Sequence, residues 1–192
     1  MSILMIQILL IAAMPLEIYI LVKGIKILRK AFHGKIILEF PLAEFTSNFR
    51  LEKSGMYSIW WQAGFLTSIP VHLFKPKIIN KNSIEVVSLN TSLLSPRTNN
   101  FDIARLEVYT FRTKKGDYSI EMVEGSSVNY FQTEVANYFS SNKKFDFSKI
   151  KIQIRESQSQ FMTLLGIPIC LIGGGGLLLS FVLSLLADQV FI

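Results

Sequence analysis

The two most apolar stretches of the chain stand at its two ends. ILMIQILLIAAMPLEIYILV runs from Ile3 to Val22, and FMTLLGIPICLIGGGGLLLSFVLSLLA from Phe161 to Ala187. A helix needs about 20 mainly apolar residues to cross the hydrocarbon of a bilayer, and both stretches have them. The sequence therefore predicts two transmembrane helices with the rest of the chain between them. The mean hydropathy of +0.39 reflects these ends. The first stretch reads as a retained helix, not a cleaved signal. It has no charged n-region, and its apolar run exceeds the roughly 7–15 residues of a signal core. Ala12-Ala13-Met14-Pro15 also makes a poor cleavage site. The one cysteine, Cys170, lies in the second stretch, so no disulfide forms within the chain. That fits a reducing compartment.

The net charge of +6 is not a nucleic-acid footprint. All 20 Lys and Arg lie between Lys23 and Arg155. Five follow the first helix (Lys23, Lys26, Arg29, Lys30, Lys35), and five precede the second (Lys143, Lys144, Lys149, Lys151, Arg155). The remaining ten, in residues 36–142, are balanced by ten acids. Cations flanking membrane helices tend to stay on the cytoplasmic side. The expected topology puts the intervening region in the cytoplasm and both termini outside. In residues 23–34, KGIKILRKAFHG, the cations recur at helical spacing and apolar residues occupy another face. This predicts a basic amphipathic continuation of the first helix, with Gly34 just past its end. Lys23, Lys26, Arg29 and Lys30 are its candidate contacts to anionic lipid headgroups.

Between the helices the periodicity changes. KIILEF (35–40), YSIWW (57–61), PVHLF (70–74), IEVVSL (84–89), ARLEVYTF (104–111), YSIEM (118–122) and KIKIQI (149–154) are short, β-branched or aromatic, and partly alternating. They predict a mainly β fold: an antiparallel β-sandwich-like domain over 35–155, between transmembrane helices 3–22 and 161–187. One short helix is expected at VNYFQTEVANYF (128–139). Two segments repeat: FRLEKSGMYSIW (49–60) and FRTKKGDYSIE (111–121). Each is expected to be a hairpin, its glycine supplying a positive φ for a tight turn. Tyr57, Ile59 and Trp61, and Tyr118, Ile120 and Met122, would face the core. The residues between them would face solvent. The pattern is too general to name a family.

The sequence offers no catalytic constellation. It has two histidines, no Cys cluster, no HExxH and no GxSxG, so catalytic residues, metal and cofactor are all read as none. Gly173, Gly174, Gly175 and Gly176 lack the Lys and Ser/Thr of a phosphate loop. With Gly166 they read as a helix-packing seam, against the first helix or another protein. Glu17 is a carboxylate inside an apolar helix and a candidate intramembrane polar site. Trp60 points opposite to Trp61, so it is expected outside, as a contact surface for a ligand or partner. The reading is a two-pass membrane protein whose β domain is a non-catalytic interaction module, an adaptor or a subunit of a membrane assembly. Its partners would be anionic lipids and another membrane or cytosolic protein. The alternatives are an externally facing ligand-binding sandwich and a membrane lipid enzyme.

Overall fold

The structure is a computed structural model and describes residues 2–64, 69, 71, 73–100, 102–125 and 146–191. The expected 128–139 helix lies outside the described residues. The chain divides into two compact units, Met1–His33 with Ser159–Ile192, and Gly34–Gln158.

The first unit is an antiparallel helix pair. Helix α1 spans Ile3–Phe32 and helix α2 spans Gln160–Leu185. Ser2 caps α1 by accepting the Met5 N–H at 3.4 Å, one of the donors a helix start leaves unpaired. The basic flank continues α1 without a break and ends at His33, whose N–H returns to the Arg29 carbonyl at 3.0 Å. Both helices are long and apolar enough to cross a membrane.

The second unit is built from antiparallel strands. A six-stranded sheet runs in the order β1 (Ile36–Pro41), β9 (Lys151–Ser157), β3 (Gly55–Gly64), β7 (Ile103–Thr113), with the short β5 (Asn90–Thr91) and β6 (Arg97–Asn99) both on the far side of β7. A three-stranded sheet runs β2 (Thr46–Leu51), β8 (Gly116–Glu124), β4 (Phe74–Asn80). Inward residues of both sheets form one hydrophobic cluster that includes Tyr57, Ile59, Trp61, Phe111, Ile152 and Ile154 from the larger sheet, and Phe49, Ile78, Tyr118 and Ile120 from the smaller.

Two strand boundaries differ from expectation. The strand placed at 70–74 begins at Phe74 and continues to Asn80, with Pro76 and Ile78 alternating into the core. The strand placed at 84–89 is reduced to a single bridge, Ile79 to Val86. There the chain turns back on an Asn80 side chain that accepts the Asn82 and Ser83 N–H groups. Ile84 then sits at φ 58° with its side chain exposed, a costly conformation for a β-branched residue.

The repeat is the chief correction. Neither copy is a hairpin. Strand β2 belongs to the small sheet and β3 to the large one; β7 belongs to the large sheet and β8 to the small one. Each copy is a corner by which the chain changes sheets, and the two run in opposite senses. They meet each other in matched register: Phe49 pairs with Tyr118 and Leu51 with Gly116, while Tyr57 pairs with Phe111 and Gly55 with Thr113. The rings stack crosswise, Phe49 on Tyr118 and Tyr57 on Phe111, with centroids 5.7 Å apart in both cases. The Tyr57 hydroxyl donates to the Lys53 carbonyl at 2.6 Å, and the Tyr118 hydroxyl to the Lys114 carbonyl at 2.9 Å. Each bond ties a strand back to the link that precedes it.

Neither glycine of the repeat makes a left-handed turn. Gly55 has no positive φ, and Gly116, at φ 159°, is close to fully extended. A Cβ on Gly116 would lie 3.5 Å from the Tyr118 ring, and one on Gly55 would lie 4.0 Å from the Tyr57 ring, both ordinary van der Waals contacts. Gly34 is the constrained one, since a Cβ there would fall 1.7 Å from the Glu156 carbonyl oxygen where β1 starts beside β9.

Candidate functional site

The outer face of the six-stranded sheet carries a continuous row of polar side chains. Period-two alternation puts Ser58, Trp60 and Gln62 of β3 on the face opposite Tyr57, Ile59 and Trp61. Register places Glu39 beside Gln153, Gln153 beside Trp60, and Arg105 beside Gln62. The row is buried at its centre, where Trp60 is 1% exposed, Glu107 4% and Arg155 6%, while Glu39 and Lys151 at its edge are exposed. Trp60 is therefore not the external contact surface expected of it, and Ser58 does not face solvent. The alternation holds, but both faces of β3 are covered. Trp60 keeps its polar partners inside. Its indole N–H donates to Ser58 Oγ at 2.8 Å, and the Arg155 guanidinium lies over its ring at 5.3 Å from the centroid.

The hydrogen bonds link strand to strand. Lys151 Nζ donates to Glu39 Oε1 at 2.7 Å, and Gln153 Nε2 donates to Glu39 Oε2. Gln153 Nε2 also donates to Gln62 Oε1 at 2.8 Å, which in turn accepts from Arg105 Nε at 2.8 Å. Gln153 Oε1 accepts from Arg155 Nε at 2.9 Å and from its Nη2. The hydrogen bond from Lys151 is the main cause that holds the Glu39 carboxyl below its ordinary value. Burial pulls the Arg155 guanidinium down, and Arg105 nearby adds to this while Glu39 opposes it.

Glu107 sits at the far end of the row. Burial pushes its carboxyl above the usual glutamate range, against the hydrogen bonds from Ser92 and Ser58. The Ser92 hydroxyl donates to Glu107 Oε1 at 2.7 Å and accepts the Ser95 N–H at 3.1 Å. Glu107 thereby pins the turn that covers this edge of the sheet. Charged groups this deep are stable only while their partners are in place. The chemistry of the row is to fix strand register and to hold Trp60 and Arg155 rigid.

Sequence reasoning missed Glu107, Gln62, Gln153 and Arg155. The signal was present in the alternation of KIQIRES, which sets Gln153 and Arg155 on one face, but alternation does not say that a polar face is buried. It also counted Lys149, Lys151 and Arg155 as a juxtamembrane flank. Lys151 and Arg155 are strand residues engaged in the row, and Lys149 pairs with Asp146 at 3.1 Å.

In the helix pair, Gly166, Gly173 and Gly176 of α2 face α1. A Cβ on Gly173 would lie 2.4 Å from the Leu21 backbone nitrogen, one on Gly166 2.8 Å from Leu28, and one on Gly176 3.1 Å from Glu17. Gly24 answers from α1, where a Cβ would meet Cys170 Sγ at 2.6 Å. Gly174 is looser, 3.6 Å from Leu21, and Gly175 faces open space. Ser180 Oγ donates to Glu17 Oε1 at 2.8 Å, and Glu17 Oε2 is buried without a hydrogen-bond partner among the described residues. Lys23 lies over the Tyr19 ring at 4.7 Å, and Lys26, Arg29 and Lys30 are exposed. Among the described residues no group of three or more His, Cys, Asp or Glu could hold a metal ion. No protein-family model matches the sequence, and a comparison with curated proteins finds no significant match.

Proposed function

We propose that this chain is a two-pass integral membrane protein whose two sheets form a β-sandwich, and that the sandwich is a non-catalytic interaction module of a membrane assembly. The observation that carries the reading is the exterior of the helix pair. Leu4, Ile8, Leu9, Leu178, Phe181 and Leu185 each expose more than half of their surface. A hydrocarbon solvent accommodates such a surface and water does not. The tethers are short. Only residues 33–35 separate α1 from β1, and only 158–159 separate β9 from α2. Strands β1 and β9 are paired neighbours, so the two tethers leave the domain side by side.

The domain faces the cytoplasm in this reading, with both termini across the membrane. The support is the α1 flank, where Lys26, Arg29 and Lys30 are exposed and form no ion pair among the described residues. A single cysteine at Asn99, in a Cys170→Ala background, tests the orientation. Labelling by a membrane-impermeant thiol reagent only after lysis is expected. Labelling in intact cells would sink the cytoplasmic assignment. The module role predicts that cross-linking before mild extraction recovers the chain in a larger complex, and recovery as a lone monodisperse species counts against it.

A further inference from the structure

Strand register brings both corners of the repeat to the end of the β domain from which the chain leaves for the helices. Gly55, at the start of β3, pairs with Thr113 at the end of β7, and Met56 pairs with Ser157 at the end of β9. Ile36, at the start of β1, pairs with Arg155. In the smaller sheet Leu51 pairs with Gly116, and Asn80 with Tyr118. The two corners, the turn after Asn80 and both tethers therefore share one end.

That end is basic. Lys35, Lys53, Lys81, Arg112, Lys114 and Lys115 are exposed there, against the exposed acids Glu52, Glu85 and Glu156. Arg50 is paired with Asp117 at 3.8 Å, and none of the other six cations forms an ion pair among the described residues. At the opposite end the exposed acids Glu39, Glu44, Asp102, Glu124 and Asp146 outnumber the exposed cations among the described residues. The sequence balances the cations of residues 36–142 with acids, but the fold gathers Lys53, Lys81, Arg112, Lys114 and Lys115 in one place. Backbone bonds hold the segments that carry them together. The Lys115 N–H donates to Ser54 Oγ at 3.2 Å, and the Lys81 N–H donates to the Asp117 carbonyl at 3.0 Å. The Lys53 and Lys114 carbonyls accept from the two tyrosine hydroxyls, so these links are fixed.

The tethers decide what this end meets. Helix α1 has 30 residues, about 45 Å at 1.5 Å per residue, which matches the roughly 40–45 Å of a bilayer with its headgroups. Only residues 33–35 separate it from β1, so the basic end is kept at the level of the headgroups. We propose that the corner end of the β domain is a docking surface for anionic lipid headgroups of the bilayer that holds the helices, with Lys53, Lys81, Lys114 and Lys115 as its contacts. The proposal rests on the reading of the helix pair as membrane-inserted.

The test uses the full chain in a Cys170→Ala background with one fluorophore-labelled cysteine, Asn82→Cys in the turn beside Lys81 or Asn99→Cys toward the opposite end. The chain is reconstituted in vesicles that carry an equal fraction of headgroup nitroxide as quencher. Quenching at Asn82→Cys should be at least about twofold stronger in equimolar phosphatidylglycerol and phosphatidylcholine than in phosphatidylcholine alone. It should fall to the phosphatidylcholine level in 1 M salt, where the screening length is about 3 Å. The label at Asn99→Cys should respond to neither change. Lys53→Gln, Lys114→Gln and Lys115→Gln together should abolish the phosphatidylglycerol dependence. The same three positions changed to Arg should keep it, which separates charge from structural damage. A wild type indifferent to phosphatidylglycerol, a dependence unchanged in the triple Gln variant, or an equal response at Asn99→Cys overturns the proposal. Flotation of the vesicles separates the two levels: a chain that does not float with them defeats the membrane reading, whereas a chain that floats without lipid-dependent quenching defeats this inference alone.

Discussion

Phe49 and Tyr118 lie 69 residues apart in the chain, yet their rings stack on each other with centroids 5.7 Å apart. Tyr57 and Phe111 do the same, so each copy of the repeat supplies the partner that the other needs. The domain is held at its centre by two corners joined crosswise. Lys115 N–H donating to Ser54 Oγ at 3.2 Å joins the two links directly.

Removing one corner hydroxyl should weaken the domain without changing its fold. Tyr118→Phe keeps the stacked ring and deletes the bonds of its hydroxyl to the Lys114 carbonyl and to Thr113 Oγ1. A loss of about 1–3 kcal/mol is expected, the net worth of two such bonds. Near-ultraviolet circular dichroism during thermal unfolding of the full chain reads it. An unchanged midpoint would mean that the hydroxyl does not secure the link.

Gly34 admits no side chain. A Cβ lying 1.7 Å from the Glu156 carbonyl oxygen forces β1 away from β9. Gly34→Ala should cost at least about 2 kcal/mol, in the range of overpacking a closed site. Gly55→Ala, where the nearest atom is 4.0 Å away, is the matched control and should cost much less.

The two tryptophans test the burial of the polar row. The chain has only Trp60 and Trp61, at 1% and 0% exposure. Native fluorescence should be blue-shifted and barely quenched by acrylamide. Trp61→Phe should leave a signal that remains protected. A readily quenched Trp60 would restore the external contact surface that its sequence position implies.

Stability should respond to pH through two carboxyls with opposite signs. The folded Glu107 carboxyl lies above its ordinary value of 4.5. Over that window the folded state holds the proton more tightly, so its contribution is fully present below the unfolded value and is lost as pH rises through the folded value. Glu39 is held below 4.5, so its contribution is present above the unfolded value and lost as pH falls through the folded one. Glu107→Gln should flatten the loss of stability on the alkaline side of 4.5, and Glu39→Gln the loss on the acid side. Denaturant midpoints of the full chain across this pH range measure both slopes.

The glycines of α2 should not be equivalent. Gly173→Ala places a methyl 2.4 Å from the Leu21 backbone and should separate the helices, whereas Gly175→Ala meets open space. Thermal unfolding of the full chain in detergent, followed by circular dichroism, gives the readout: Gly173→Ala should lower the midpoint and Gly175→Ala should not.

Local pattern carried much of this architecture. The apolar runs gave the helices, because a run of about 20 mainly apolar residues marks a helix whatever it packs against. Alternation gave β1, β3, β7, β8 and β9 and the inward faces of their core residues. The Gly-x-Tyr repeat announced that the chain turns twice in the same way. Three things were decided only by tertiary structure. The partners of β2, β3, β7 and β8 set the repeat as sheet-to-sheet corners, since a turn sequence bends the chain but does not choose the neighbouring strand. The covering of the second face of β3 made Trp60, Glu107 and Arg155 internal, since a period of two tells which side chains share a face and not whether that face meets water. The register of α1 on α2 set Leu21 against Gly173 and Glu17 against Gly176, since each helix is legible alone but their relative height depends on which glycines admit the other backbone.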